Sequence, residues 1–540
     1  MLLPSKLVGI EHGTFQAVVR GAANRSIELE ENEFVRLVHV AYSKEDALLS
    51  LEALKPGREI LILRIDGYRY EVPVAIFRER EFFVCLTISS NYHVGMDPEA
   101  YVIGVQKDGQ VPEGHGFEKV CRRLVEPYVH ALGLPVTWLI DGTVAFVGQQ
   151  RLRRWHREYY DDVGVMPPSY IHYNAVNYNQ TMSEEALAAY LGAEIARVEA
   201  QLGWQIDVIG IDQFIGSVDN RFVAAAENLG LHGIWGMGFD HFACDTSMYH
   251  RGIPWDCFKL NASNVRIPAR YPTGLWGFQW TQRDVINTMK TPTGASGSVI
   301  FSTDVDDIRS TGIMQAQPDY YNRLLADYVQ SFQMQPDNDF GVFLMHQEDH
   351  DTGFEENNAY WGRFLREISE PVTFATIHEI AAWLNLKYRL DQHPSQCLFA
   401  HNTLTCQEQV QWGYGGVQRP DDWGVYPPHV FYYDRDVQLV AEQGCRVPCR
   451  VFDYEEDIEL AFGEIYPEKE LPKAKILHEA ITEGEYIARI QSDRVCDRLP
   501  LIVEYSDCSG SRHATIIRVD LREGEQEIRA KLSPYAVTLL

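Results

Sequence analysis

The stretch "FGVFLMHQEDHDTG", Phe340 to Gly353, opens as an apolar run of Phe340, Val342, Phe343, Leu344 and Met345. Its length and composition are those of a buried strand. The run then breaks into His346, Glu348, Asp349, His350 and Asp351 before Gly353. Imidazoles and carboxylates crowded at a strand end are expected in a parallel α/β barrel, where reactive side chains sit at the C-terminal ends of the strands. Side chains alternate with period two along a strand, so His346, Glu348 and His350 would share a face. Past the strand end the alternation lapses, and the reading rests on His346 and Glu348.

Working outward, short apolar runs alternate with helical patterns from Phe82 to Leu386. The runs are "FFVCLTI", "PVTWLID", "IDVIGID", "LHGIWGM", "SVIFSTD", "FGVFLM" and "PVTF". Between them, "FEKVCRRLVEPYVHALGLP" carries a helical stripe with Pro127 inside it, which predicts a kink. "TMSEEALAAYLGAEIARVEAQLG" opens with a capping-box spacing, Thr181 to Glu184, and stops at Gly203. "NRFVAAAENLG" and "PDYYNRLLADYVQSF" are further helices. Strands alternating with helices predict a parallel sheet covered by helices. The fold class is α/β, a (β/α)7-8 barrel over residues 81–390. A doubly wound sheet competes, but no glycine-rich phosphate fingerprint supports it.

The flanks have another texture. Within residues 1–80, "TFQAVV", "EFVRLVHV", "EILILRI" and "YRYEVPVAIF" alternate as strands, with "KEDALLSLEAL" as one helical piece, so an N-terminal β domain is expected. Residues 391–540 alternate again in "EYIARIQ", "LPLIVEYS" and "HATIIRVDL", which predicts a C-terminal β-sandwich.

Composition narrows the function. The 540 residues are 45% hydrophobic and 12% aromatic, a globular balance. Lys plus Arg number 48 and Asp plus Glu 76, a net charge of −28. That field repels polyphosphate backbones and anionic membranes, so neither nucleic acid nor membrane is an expected partner. The N-terminus lacks the pattern of a secretory signal, and no apolar run has the length of a membrane span. Ten Cys are scattered, and Cys445 and Cys449 have no second pair to complete a zinc site. A cytoplasmic protein with reduced thiols is the expectation, and a homo-oligomer remains open.

Other strand ends also deliver acids: Asp141 after "PVTWLI", Asp212 after "IDVIGI", Asp240 with His241 after "GIWGMGF", and Asp304 with Asp306 after "VIFST". A single Asp after a strand is most often a cap or turn residue. Recurrence at five ends predicts a shared polar hollow. Asp212, Asp240, Asp304 and Glu348 are the candidate catalytic acids, and Asp141 a substrate contact. Aromatic residues accompany them: Trp138 beside Asp141, Tyr249 in "DTSMYHRGIPWDCF", and Trp276 and Trp280 in "RYPTGLWGFQWTQRD". They suit either stacking on sugar rings or filling a core.

Several of these words also match a known pattern. "CLTISSNYH" stands where a T-F-D-D motif belongs, and "LGLPVTWLIDG" is close to G-I-P-A-T-F-F-V-x-G. "IHYNAVNYNQTMSEEAL" falls at an H-[ST]-x-x-H motif, "GIDQFIGSVDN" at R-P-P-Y-G, and "FLMHQ" at a closing L-x-H. From Phe82 to Leu386 the chain thus resembles the polysaccharide deacetylase family of the glycoside hydrolase/deacetylase superfamily. The resemblance implies a (β/α) barrel that hydrolyses bonds in carbohydrate. Yet Ser89 and Ser90 replace the first motif's acids, His172 keeps only half of the histidine pair because Val176 holds the other position, and the third motif's Arg is missing near Asp212. A standard Asp-His-His metal site is not expected.

Three functions follow as expectations. The first is a carbohydrate-active hydrolase working with paired carboxylates. The second is a metal-dependent deacetylase with relocated ligands, His172 and His346 among them, using a divalent ion such as zinc or another transition metal. The third is a sugar-binding protein without catalysis.

Overall fold

The computed structural model describes residues 1–90, 116–167, 183–210, 220–236, 257–260, 269, 272–278, 313–316, 318–333, 339–392, 410–412, 429–431, 474–482, 485–506, 512–531 and 537–539. At their centre is a sheet of nine strands: β1 (Glu81–Ser90), β2 (Thr137–Ile140), β3 (Asp162–Val165), β4 (Val208–Gly210), β5 (Gly233–Trp235), β6 (Phe258–Lys259), β7 (Trp276–Phe278), β8 (Phe340–Glu348) and β9 (Thr373–Phe374). Their order is β6-β7-β5-β4-β3-β2-β1-β8, with β9 also on β1. All pairs are parallel except β6 with β7.

The sheet is strongly curved. Trp235 of β5 and His346 of β8 are five strands apart, roughly 24 Å across a flat sheet, yet their ring centroids lie 4.3 Å apart. Among the described residues β6 and β8 do not pair with each other, so the described sheet is curled and open; a closed or nearly closed barrel was expected. "SVIFSTD" lies outside the described residues.

Alternation sorts the strands into two cores. Phe82, Val84, Leu86 and Ile88 of β1, with Trp138 and Ile140 of β2, face the outer helices. Phe83 and Cys85, with Leu139, Val208, Val342 and Leu344, fill the concave side. The helices are α1 (Gly142–Glu158), α2 (Glu184–Leu202), α3 (Asn220–Asn228), α4 (Tyr320–Gln333), α5 (Glu355–Glu367) and α6 (Ile377–Lys387). Helix α2 ends at Gly203, whose φ of 89° is left-handed, as the glycine predicted. Its cap is Ser183, which accepts from Ala186 N at 3.2 Å; Thr181 lies outside the described residues. The Pro127 segment is helical but wider than expected: Phe117–Val120 continues as a π-helix over Cys121–Val129. Proline has no N–H for the i→i−4 ladder, and a π turn accommodates the gap.

Residues 1–77 form two small sheets. Leu7–Ile10, Ile27–Leu29, Gly57–Ile65 and Tyr68–Phe77 make one, and Thr14–Val19, Val35–Tyr42 and Ala47–Ala53 the other. The stretch expected to be helical is the strand Ala47–Ala53. Leu49, Leu51 and Ala53 alternate into the core, and strands pair on both sides of it. Pairing and burial outweigh the helical propensity of Leu, Glu and Ala. At the far end, Ala474–Thr482, Glu485–Ser492 and Gly524–Lys531 form one antiparallel sheet, and Cys496–Ser506, Arg512–Leu521 and Val537–Leu539 another. Tyr486, Ile490, Val519 and Leu521 of both sheets share a small core.

The N-terminal sheets dock on the concave core through Val8, Ala75 and Phe77, which pack with Phe83 and Trp383. Beside them lies a buried ionic cluster. Lys6 Nζ is 2.7 Å from Asp162 Oδ2 and 3.1 Å from Glu379 Oε1, while Arg58 reaches both oxygens of Glu379 at 3.1 and 2.9 Å. Burial alone would raise the Glu379 pKa, but Arg58 and Lys6 overcome it and push it down to about 2. Thr376 Oγ1 donates to Asp162 and completes a capping box with Glu379 at the start of α6. No helix among the described residues is long and apolar enough to cross a membrane.

Candidate active site at the strand ends

Strands β1 and β8 run side by side in register, with His346 opposite Thr87 and Glu348 opposite Ser89. The residues below them on the same faces, Cys85 and Leu344, belong to the concave core, so this row rises from that core to the C-terminal rim. His346 is 1% exposed, and Glu348 alone in β8 is only partly buried. The predicted pair, His346 and Glu348, therefore comes from one face of one strand.

The hydrogen bonds fix the chemistry of His346. Thr87 Oγ1 donates its single proton to Met345 O at 2.8 Å. Toward His346 Nδ1, at 3.1 Å, the hydroxyl can then only accept, so Nδ1 carries the hydrogen. Nε2 is left with its lone pair, and Ser89 Oγ lies 3.4 Å from it. A base with one nitrogen held by an orienting group and the other facing a hydroxyl is the arrangement of general-base catalysis. The ring of Trp235 covers His346 from across the hollow. Nothing in the spacing of the sequence pointed to Trp235, and Ser89 drew notice only as a missing acid.

The neighbouring acid has another task. Asp349 Oδ2 accepts from Ser90 Oγ at 2.9 Å and from Gly116 N at 3.2 Å, and Asp349 N donates to Ser89 O at 3.0 Å. It ties the end of β8 to the end of β1. The two serines at the acid positions of the resemblance are thus taken up by His346 and Asp349.

Three expected substrate contacts are corrected. Asp141 is the N-cap of α1, accepting from Thr143 N at 2.5 Å and Val144 N at 3.1 Å. Trp138 faces the helices, stacks with Trp155 at 5.8 Å and donates from Nε1 to Asp161 Oδ2 at 2.8 Å. Trp276 is fully buried in the concave core, with Nε1 on Asn385 Oδ1 at 2.8 Å. Even positions of β2 face outward, and Trp276 packs inside the concave core, so neither indole can offer a face to a sugar. Asp212, Asp240, Asp304, Tyr249, Trp280 and His172 lie outside the described residues.

A metal ion would need two or more further ligands beside His346. Among the described residues no group of three His, Cys, Asp or Glu could hold one.

The sequence matches no family model and no curated protein. Solved structures give loose, partial likenesses. A CE4 family pseudoenzyme from Bacillus anthracis is 12% identical with a TM-score of 0.27, covering 56% of this chain and 66% of that one. The match thus spans just under two thirds of that protein. An allantoinase is 11% identical with a TM-score of 0.33, covering 56% and 90%. A family 4 carbohydrate esterase from Streptomyces lividans, in complex with acetate, is 11% identical with a TM-score of 0.24, covering 53% and 88%. Superpositions this loose establish neither a shared fold nor a shared chemistry.

Proposed function

We propose that the protein is a carbohydrate-active hydrolase whose reacting groups sit at the C-terminal ends of the central strands. The observation that carries this reading is the fixed tautomer of His346: Nδ1–H held by Thr87, Nε2 turned to Ser89. His346 takes a proton from the attacking oxygen, that of Ser89 or of a water held by it. Glu348, next on the same face, is the carboxylate of the pair, and its partner is drawn from Asp212, Asp240 and Asp304. The bond cut is an ester or glycosidic bond of an oligosaccharide.

The test is release of acetate or of reducing ends from acetylated and unmodified oligosaccharides. His346→Gln is expected to lower turnover by about a hundredfold or more, and Glu348→Gln and Asp240→Asn to abolish it with little change in melting temperature. Full activity in His346→Gln would remove the basis of the proposal.

A further inference from the structure

Beside the N-terminal sheets, a cavity of about 510 Å³ opens between the strand Tyr68–Phe77 and the C-terminal ends of α1 and α2. Its size suits a small molecule. Three arginines line it, Arg69, Arg153 and Arg157, against a single carboxylate, Glu71. Three guanidinium groups facing one carboxylate leave two positive charges uncompensated, in a chain whose net charge is −28.

The backbone sets these groups face to face. Arg153 and Arg157 are four residues apart, one turn and roughly 6 Å along one face of α1. Arg69 and Glu71 are two apart on their strand and share its face. Arg157 Nη1 reaches toward Glu71 Oε2 at 3.6 Å, and Arg69 Nη2 stands 3.9 Å from Glu71 Oε1. Both distances exceed hydrogen-bond length, so the carboxylate sits between two guanidinium groups and bonds to neither. Arg153 is anchored at the end of α2, where Nε donates to Leu202 O at 3.1 Å and Nη2 to Gln201 O at 2.5 Å. Its Nη1 is left for a ligand. Glu71 and Leu202 are themselves on the wall, so the charged heads of the arginines, and not only their stems, lie at the cavity. All three arginines and Glu71 are exposed, and an incoming molecule can touch them.

Charge and lining narrow the occupant. Guanidinium forks match the oxygens of phosphate and carboxylate groups. Two uncompensated charges favour a dianion, which a phosphate monoester is above about pH 6 and a monocarboxylate is not. A phosphate group fills only part of the volume. Leu3, Pro4, Pro73 and Leu202 supply apolar wall around the rest, with the half-buried ring of Tyr70 beside them. His156 adds no contact, since its two nitrogens face Asp161 O at 2.6 Å and Ser5 O at 2.9 Å. The charge of the whole chain repels long polyanions, which restricts the ligand to a small one.

We propose that this cavity binds a small phosphate monoester with an apolar or aromatic body, the phosphate held by Arg153, Arg157 and Arg69 and the body against the prolines and Tyr70. The proposal is independent of the chemistry at His346.

Calorimetric titration of the full chain with phenyl phosphate at neutral pH tests it, with benzoate and phenol as comparators. One saturable site per chain is expected for phenyl phosphate, with benzoate about tenfold weaker or more and no response to phenol. Affinity should fall with added salt, and again below about pH 6, where the phosphate gains a proton. Arg153→Gln and Arg157→Gln should each weaken binding about tenfold or more. Glu71→Gln, which removes the competing carboxylate, should tighten it, a gain that a folding defect would not produce. No saturable binding of phenyl phosphate by the wild-type chain overturns the proposal, as does benzoate binding equally tightly, affinity unchanged in both arginine variants, or weaker binding by Glu71→Gln.

Discussion

Because Thr87 spends its hydroxyl proton on Met345 O, the neighbouring imidazole has only one tautomer that keeps both contacts. Thr87 is thus a positioning residue for His346. Thr87→Val is expected to lower turnover by about ten- to a hundredfold and distort the pH profile, while Thr87→Ser restores both; equal activity in the two variants would show that the tautomer does not matter. A second residue-scale consequence concerns stability. Lys6 and Asp162 have buried side chains, and removing the lysine strands the Asp162 carboxylate, while Glu379 keeps Arg58. Lys6→Met should cost about 3–5 kcal/mol, read by denaturant unfolding. His346 and Glu348 were legible as a pair because period two depends on the strand alone. Thr87, Ser89 and Trp235 were not, since nothing local says which strand lies beside β8 or across from it.

Between elements, the π-helix Cys121–Val129 packs against α5 at Gly362, where an added methyl carbon would lie 2.1 Å from Cδ1 of Tyr128. The clash involves the near edge of a ring that is itself packed in place. Gly362→Ala is therefore expected to destabilise the protein by roughly 1–3 kcal/mol, despite alanine's better helix propensity; a stabilised variant in thermal melts would contradict this packing. Elements with strong local signals read correctly: α2 from its apolar stripe and Gly203, β8 from its run. Short ones did not. Asp162–Val165 has four residues, one of them Gly164, and Trp276–Phe278 has three, too few to show a period. Ala47–Ala53 was misread because its leucines satisfy a helical and a strand pattern alike, and partner strands made the choice.

Across the whole molecule, ionic ties gather at the end of the sheet opposite the candidate active site. Asp207, just before β4, bridges His232 at 3.0 Å and His378 on α6 at 2.7 Å. Burial would raise the Asp207 pKa, but His378 and His232 hold it well below the usual carboxylate range. His378 stands at about 9 against an ordinary 6.5. Its stabilising share is complete below about pH 6.5 and is lost as pH rises through about 9, because the unfolded chain releases the proton first. Asp207 contributes above its ordinary pKa of 3.8 and loses that share as pH falls below it. Melting temperature should drop between about pH 7 and pH 10, and His378→Gln should flatten that drop; an unchanged slope would refute the coupling. By itself the sequence determined the alternation of strands and helices, the face shared by His346 and Glu348, and a charge that repels polyanions, since each depends on neighbours in the chain or on composition. Only the tertiary structure decided that the sheet curls, that Asp141 caps a helix and two tryptophans fill cores, and that Thr87 sets the proton on His346. Those outcomes depend on which distant residues meet, and pairing across a sheet leaves no local trace in the chain.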